Sequence, residues 1–370
     1  MMNLKKYIIN LKRHHKIGLI VFCTIALLHK FIANEKYIVA GTENGIAFFV
    51  EGEKANKGIK TLIPYSPNSI DKKNRKVGPL SKQDVPSLYY RHWLGTDSVG
   101  RDVLAGIIHG SFIAFKVGVV TVLFSLIIGL LFGYLSGYLG DSGARIKKST
   151  FWLWVLSVLL FWFYGFYSHG IVSYICFAIP FLLLAFFIYK TPQHKKGNMG
   201  FPFDVIVFRI IEIINAIPGL FILLLILALF KERSFTNVIV VIVFLRWPAV
   251  ARHLRAEILK IKEEDYVKAA KSINLSDSKI FLHHVLPQAI SPIIIICAFS
   301  FSTAVLTEST LSFLGIGVPL DQVTWGSLLK EARYDFDSWW LALFPGLAIY
   351  ALIFLFNSIG DRINNQLRKV

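Results

Sequence analysis

The side chains of this sequence that could do chemistry are few and widely separated. Asp97 and Asp102 flank Arg101 in the run from His92 to Leu104. Two carboxylates at that spacing could hold a metal ion, but no cluster of His, Cys and Glu at ligand spacing accompanies them. The structural reading is simpler: Gly95 and Gly100 permit tight turns, Asp97 caps the helix that follows, and Arg101 pairs locally with Asp102. His283 and His284 are the other faint catalytic candidates, and they too sit inside a larger helical motif. Arg209 and Glu212 are three apart, so on a helix they share a face and pair. Charges in an apolar segment are costly unless paired or wet, and they mark a functional site by default. Here their place near one end of the segment favours helix anchoring and subunit packing. Lys116 lies close to the end of another apolar run and can snorkel to the interface. No G-x-x-x-x-G-K-[ST] phosphate loop is present, so the chain itself is not expected to bind ATP. Cys23, Cys176 and Cys297 fall in separate apolar runs without metal spacing and read as packing residues. No catalytic residue, bound metal or bound cofactor is expected.

These residues are positioned by hydrophobic elements. The chain has 370 residues, 55% of them hydrophobic, with a mean hydropathy of +0.57. Several apolar runs approach the roughly 20 residues that a helix needs to cross a bilayer. The net charge of +17 would suit nucleic acid, but the basic residues lie mostly between apolar runs, where they set topology and meet anionic lipid. The expected class is all-α, a polytopic membrane protein.

In chain order, the basic residues Lys5 to Lys16 precede an apolar run, Ile17 to Ala33. This run is read as a first span with a cytoplasmic N-terminus rather than a cleaved signal, since no small-residue cleavage site is evident. Residues 34–111 form a polar region with Pro64, Pro67, Pro79 and Pro86, placed outside, with short strands expected between Gly41 and Pro64. Residues 112–139 make the second span, in which Gly129 and Gly133 have the GxxxG spacing of close helix packing. In residues 141–202, two aromatic-rich runs, Phe151 to Tyr167 and Ile171 to Tyr189, are parted by Ser168, His169 and Gly170. Basic residues on both sides make this an inserted membrane hairpin, with Trp152, Trp154 and Trp162 as interface anchors. Asp204 to Phe230 is one span kinked at Pro218. Phe235 to Val250 is a shorter one, Ala289 to Leu306 crosses outward, and Trp339 to Ser358 is the last.

Between these spans lies a polar helical stretch, residues 251–288, that cannot itself cross a membrane. Glu264 supports Lys268 at i,i+4. Tyr266, Val267, Ala269, Ala270 and Ile273 give a helix one apolar side of mostly small residues. Asn274 tolerates the left-handed cap, and Ser276 or Asp277 caps a second short helix running to Pro287. Such a helix–turn–helix knob fits a partner groove.

Tyr266, Val267, Ala269 and Ala270, the turn at Asn274, then His284, Leu286 and Pro287 resemble the coupling loop of ABC importer permeases, with its EAA…G…I-LP pattern. Lys268, Asn274 and His284 stand where that pattern has Glu, Gly and Ile. Gly95, Thr96, Asp97, Gly100, Arg101 and Asp102 resemble the GTD-x-x-GRD signature of the second, C-type permease of dipeptide, oligopeptide and nickel importers. Asp204, Arg209, Glu212 and Pro218 follow the family's D-x(4)-R-x-x-D-x(5)-P spacing, with Glu212 in place of Asp. Glu308 and Leu311 to Gly317 resemble its E-x-x-LSFLGxG, in which Gly315 and Gly317 suggest a bend lining the outer cavity. Trp325 and Gly326, then Asn357, Gly360 and Asp361, match its later motifs. The resemblance covers residues 92–140 and 203–361.

The resemblance implies a type I ABC importer transmembrane domain at residues 112–361, with about six family spans plus the inserted two-helix hairpin and a cytoplasmic tail at 362–370. It implies a multi-pass permease of the bacterial inner membrane, for peptides. Its partners would be a second permease, two ATPase subunits that bind ATP and magnesium, an extracytoplasmic substrate-binding protein and membrane lipid, without nucleic acid. An ion-coupled secondary transporter is the main alternative, but it calls for internal repeats and paired broken helices, and no repeat is evident.

Overall fold

The computed structural model describes residues 12–42, 45–50, 57–141, 145–167, 179–180, 182–183, 186, 199–230, 234–317, 319, 322–335 and 337–367. Helices dominate. In order they are α1 (Arg13–Leu27), α2 (His29–Ile32), α3 (Val103–Tyr134), α4 (Lys148–Tyr167), α5 (Phe203–Ala216), α6 (Gly219–Leu229), α7 (Phe235–Lys262), α8 (Asp265–Ser272), α9 (Asp277–Ile280), α10 (Leu286–Phe313), α11 (Trp325–Ala332) and α12 (Trp340–Leu367). Wider π-helical turns follow α3 at Leu135–Leu139 and α9 at Phe281–Val285. The strands β1 (Tyr37–Thr42), β2 (Gly45–Val50) and β3 (Lys57–Ile59) form an antiparallel sheet in the order β2-β1-β3. A second short pair joins β4 (Arg145–Ile146) to β5 (Met199–Gly200).

Among the described residues four helical stretches are long and apolar enough to cross a membrane: Val103–Leu139, Phe235–Lys262, Asp277–Phe313 and Trp340–Leu367. The pair α5 and α6 makes a fifth if counted together. Several of these helices run beyond the expected spans. The helix that holds the second span starts at Val103, where Asp102 caps it. The span from Asp204 is broken rather than kinked, since Ile217 and Pro218 are both extended. Proline disfavours helix in the residue before it and cannot donate to the ladder. By contrast α7 runs through Pro248 to Lys262 instead of ending near Val250. The helix opening at Asp277 continues past Pro287 to Phe313, and α12 extends through the expected tail to Leu367. Of the expected hairpin, the first run forms α4, and the β4–β5 ladder pairs residues 145–146 with 199–200. Most of the second arm, with the Trp162 side chain, lies outside the described residues.

The chain divides into two compact units, one comprising Met1–Ile127, Pro218–Trp247 and Ile290–Val370, the other Ile128–Ile217 and Pro248–Ala289. In the first, Phe22 of α1 meets Phe301 of α10 and Phe356 of α12 edge-on, and Gly18 lies against Leu355. The 15-residue α1 therefore lies alongside two membrane-crossing helices. Trp325 is buried and donates its indole N–H to the Ile107 carbonyl at 2.9 Å. In the second unit, α3 and α7 approach closely at the predicted glycines. A methyl group on Gly129 would stand 2.5 Å from Val250, and one on Gly133 2.7 Å from Leu254. Small residues of this kind let backbones touch where no hydrophobic effect drives helices together. Within α10, Thr303, Thr307 and Thr310 each donate a hydroxyl to a carbonyl four residues back, which satisfies a polar group on an apolar helix locally.

Candidate functional site

In the second unit the polar segment after α7 folds as helix, turn and helix. Asp265 opens α8, and the turn closes at Asn274, whose φ of 58° is left-handed. The Leu275 N–H then donates to the Ala270 carbonyl, the six-to-one bond of a glycine-type cap made here by Asn. Asp277 opens α9 with Ser276 at the cap position, though no Ser276 side-chain bond forms. Glu264 supplies the cap position of α8, so Lys268 pairs with Glu263 at 3.5 Å rather than with Glu264. Both side chains of that pair are exposed, so it contributes little stability.

The expected apolar side of α8 splits in two. Val267 and Ala270 are buried in the protein's own core, whereas Ile273 is 72% exposed and Tyr266 and Ala269 are also exposed. Tyr266, Ala269 and Ile273 recur at three and four residues, so they form one outward stripe. His284 stands 6.5 Å from the Tyr266 ring, Leu286 and Pro287 are half-buried, and Leu282 is exposed.

The knob is tied down by groups that sequence reasoning missed. Tyr138 donates its hydroxyl to the Asp277 carbonyl at 3.0 Å and reaches its carboxylate at 3.2 Å. Phe281 packs on Tyr134 and Tyr138, with ring centroids 4.4 and 5.2 Å apart. Lys262 donates to the Tyr138 carbonyl at 2.9 Å, a cation at a helix end. Arg255 grips Asp204 through two bonds of 2.6 Å and stacks over Phe208 at 4.4 Å. Asp141 accepts the Asp204 N–H at 3.0 Å and so caps α5. The expected Arg209–Glu212 pair forms at 2.7 Å, exposed on both sides. Trp154 packs on Phe201 and donates to the Pro180 carbonyl at 3.0 Å. Trp152 is exposed.

In the first unit the residues from His92 to Asp102 make a buried knot. Gly95 and Gly100 have φ of +81° and +100°, conformations open to glycine. Thr96 is fully buried and its carbonyl accepts the Trp340 indole N–H at 3.0 Å. Two assignments change. Asp97 gathers the N–H groups of Val99, Gly100 and Arg101 and the Arg101 guanidinium at 2.6 Å, so it holds the loop. Asp102, not Asp97, caps α3, by accepting the Ala105 N–H at 2.7 Å. Its other oxygen meets His92 Nδ1 at 2.9 Å, while His92 Nε2 faces Asp71 at 3.4 Å. The two carboxylates thus approach opposite nitrogens of one ring and do not converge, and no metal-holding group occurs among the described residues. Arg101 reaches Glu331 at 3.7 Å, linking the knot to α11.

Glu308 is almost fully buried and accepts the Ser312 hydroxyl at 2.7 Å. Gly315, with φ +77°, ends α10, and the N–H groups of Ile316 and Gly317 both return to the Leu311 carbonyl. The expected bend is therefore a helix stop.

The family described as "binding-protein-dependent transport system inner membrane component" matches residues 197–369. The dipeptide transport system permease protein DppC of Alkalihalophilus pseudofirmus is 26% identical over 82% of this chain and 79% of its own. A putative peptide transport system permease protein of Brucella suis is 37% identical over 45% of this chain and 56% of its own. The glutathione transport system permease protein GsiD of Pectobacterium atrosepticum is 27% identical over 83% of this chain and 79% of its own. Among solved structures, inward-facing conformations of the MetNI methionine ABC transporter match 67% of this chain and 95% of theirs, at a TM-score of 0.35 and 14% identity. The family match thus spans a little under half of this chain, and the relatives that the whole chain resembles are inner-membrane permeases of peptide-type, binding-protein-dependent ABC importers.

Proposed function

We propose that this subunit imports peptides and that the α8–α9 knob is where an ATPase subunit grips it. The carrying observation is the split of the α8 apolar side. Val267 and Ala270 fix the helix to its own unit, while Tyr266, Ala269 and Ile273 remain uncovered. A stripe of one small residue between two larger apolar ones suits a partner groove. The curated relatives, named for dipeptides, peptides and glutathione, support the substrate class.

In this reading a second permease completes the path, two ATPase subunits bind ATP and magnesium, and an external binding protein delivers cargo. ATP closes the ATPase dimer, the gripped knob follows, and α10, continuous with it through the π turn, carries the movement into the membrane. This is a two-state element biased by nucleotide. Replacing Ala269 with Asp puts a charge at the grip. Uptake of labelled peptide by the reconstituted complex should stop while the subunit still inserts. Normal uptake in that variant would overturn the assignment.

A further inference from the structure

We propose that the exposed face of the three-stranded sheet binds phospholipid, seated in the bilayer interface beside α1. The register places Val39 of β1 between Phe48 of β2 and Ile59 of β3. Directly paired residues share a face, so these three form an apolar row. Phe48 is 70% exposed, Ile59 66%, and Leu62, just past β3, 78%. A sheet face turned to water normally carries polar residues.

The position of the sheet shows what covers it. The Ile63 N–H donates to the Ile32 carbonyl at 2.9 Å and the Asn34 N–H to the Ile63 carbonyl at 3.1 Å. The Thr61 hydroxyl donates to the Asn34 carbonyl at 2.6 Å, and the Phe31 and Phe49 rings lie 5.0 Å apart. The sheet is thereby fastened to the C-terminal end of the α1–α2 segment. That segment carries an exposed stripe of Ile17, Ile20, Val21, Leu27, Leu28 and Phe31, with exposed Thr24 in the step between Val21 and Leu27. Its other side packs on α10 and α12, so the stripe faces acyl chains. The sheet stands where this stripe ends. Beside it the Lys60 ammonium lies 5.4 to 5.6 Å from the ring centroids of Tyr37, Tyr89 and Tyr90. Tyrosine and snorkelling lysine are the side chains that populate a lipid headgroup layer. The row of Phe48, Val39 and Ile59 then meets the glycerol and upper acyl region, with Lys60 at phosphate level.

The test uses the full importer complex in vesicles of phosphatidylethanolamine and phosphatidylglycerol, with Cys23, Cys176 and Cys297 replaced by Ser. An environment-sensitive fluorophore is attached at Phe48→Cys, at Ile59→Cys and, as aqueous reference, at Leu80→Cys, a position 91% exposed. Labels at 48 and 59 should emit to the blue of the label at 80 and lose intensity to lipid carrying a doxyl group near the glycerol. The label at 80 should respond only to iodide. Where a Phe48→Cys complex does not assemble, Leu62→Cys takes its place with the same expectation. Iodide quenching at 48 and 59 equal to that at 80, with none from doxyl lipid, would overturn the proposal. So would labels that become shielded only when the binding protein is added.

Discussion

The division of the α8 surface predicts that two neighbouring apolar residues fail in opposite ways. Val267 is fully buried and Ile273 is 72% exposed, so Val267→Ser and Ile273→Ser separate folding from docking. Burying an isoleucine side chain completely contributes about 2–3 kcal/mol. With roughly three quarters of that surface still available to a partner, the lost docking energy is about 1–2 kcal/mol. At about 1.4 kcal/mol per tenfold, the affinity for the ATPase should fall roughly five- to thirtyfold. The subunit's own thermal midpoint should hardly move, since little Ile273 surface is buried within it. Val267→Ser leaves a void and an unpaired hydroxyl in the core, costing about 2–4 kcal/mol of stability, and it lowers ATPase binding only through misfolding. The assay is paired: thermal unfolding of the permease in detergent, and titration of the purified ATPase against the permease in nanodiscs. An Ile273→Ser subunit that binds the ATPase with unchanged affinity would refute the reasoning, because the exposed stripe would then contribute nothing to docking.

Further outcomes follow from the packing and the pairs. Gly129→Ala should destabilise the second unit by about 1–3 kcal/mol, because its methyl group would stand 2.5 Å from Val250. Gly346→Ala, where nothing lies within 4 Å, should be neutral in the same thermal assay. A double-mutant cycle of Asp204→Asn and Arg255→Gln should give a coupling of about 1–3 kcal/mol in denaturant unfolding, since the pair is bidentate and partly buried; a value near zero would remove it as an anchor. Burial alone would raise the Asp71 carboxyl, but hydrogen bonds from Asn74, the Lys73 N–H and His92 outweigh it and hold the group below the usual carboxylate range. A depressed folded value makes this contribution complete above about pH 4 and lost as the pH falls through that lower value. Asp71→Asn should therefore flatten the acid limb of the thermal midpoint against pH.

What was legible in the sequence was what local chemistry dictates. Apolar length gave the membrane helices, Asn274 announced its left-handed turn, and the GxxxG spacing of Gly129 and Gly133 marked a real helix contact. Boundaries were harder, since local signals lost to packing. Pro248 lies inside a continuous α7, whereas Pro218, read as a kink, follows the end of α5. The pairing of charges was least legible. Arg101 sits beside Asp102 yet turns to Asp97, because Asp102 is engaged by His92 and the Ala105 N–H. Arg255 finds Asp204 fifty-one residues away, a partner that no i,i+4 rule could supply.

The two π-helical turns of the second unit bear on how a pull at the knob would travel. Such turns are rare and concentrate at functional sites. Here one ends α3 and the other joins α9 to α10, and they are packed together through Tyr134, Tyr138 and Phe281. At these turns Tyr138 reaches Asp277, and Phe281 packs against the stacked rings of Tyr134 and Tyr138. A knob held only by its own short helices would swivel when gripped, because α9 has a single turn. Here Tyr138 fastens the knob to the end of α3, which Lys262 in turn ties to α7. Tyr138→Phe removes the hydroxyl bonds to Asp277 but keeps the ring packing. It should therefore leave ATPase binding intact while reducing peptide transported per ATP hydrolysed. A variant that loses binding and transport in equal proportion would show that the clamp serves folding rather than coupling.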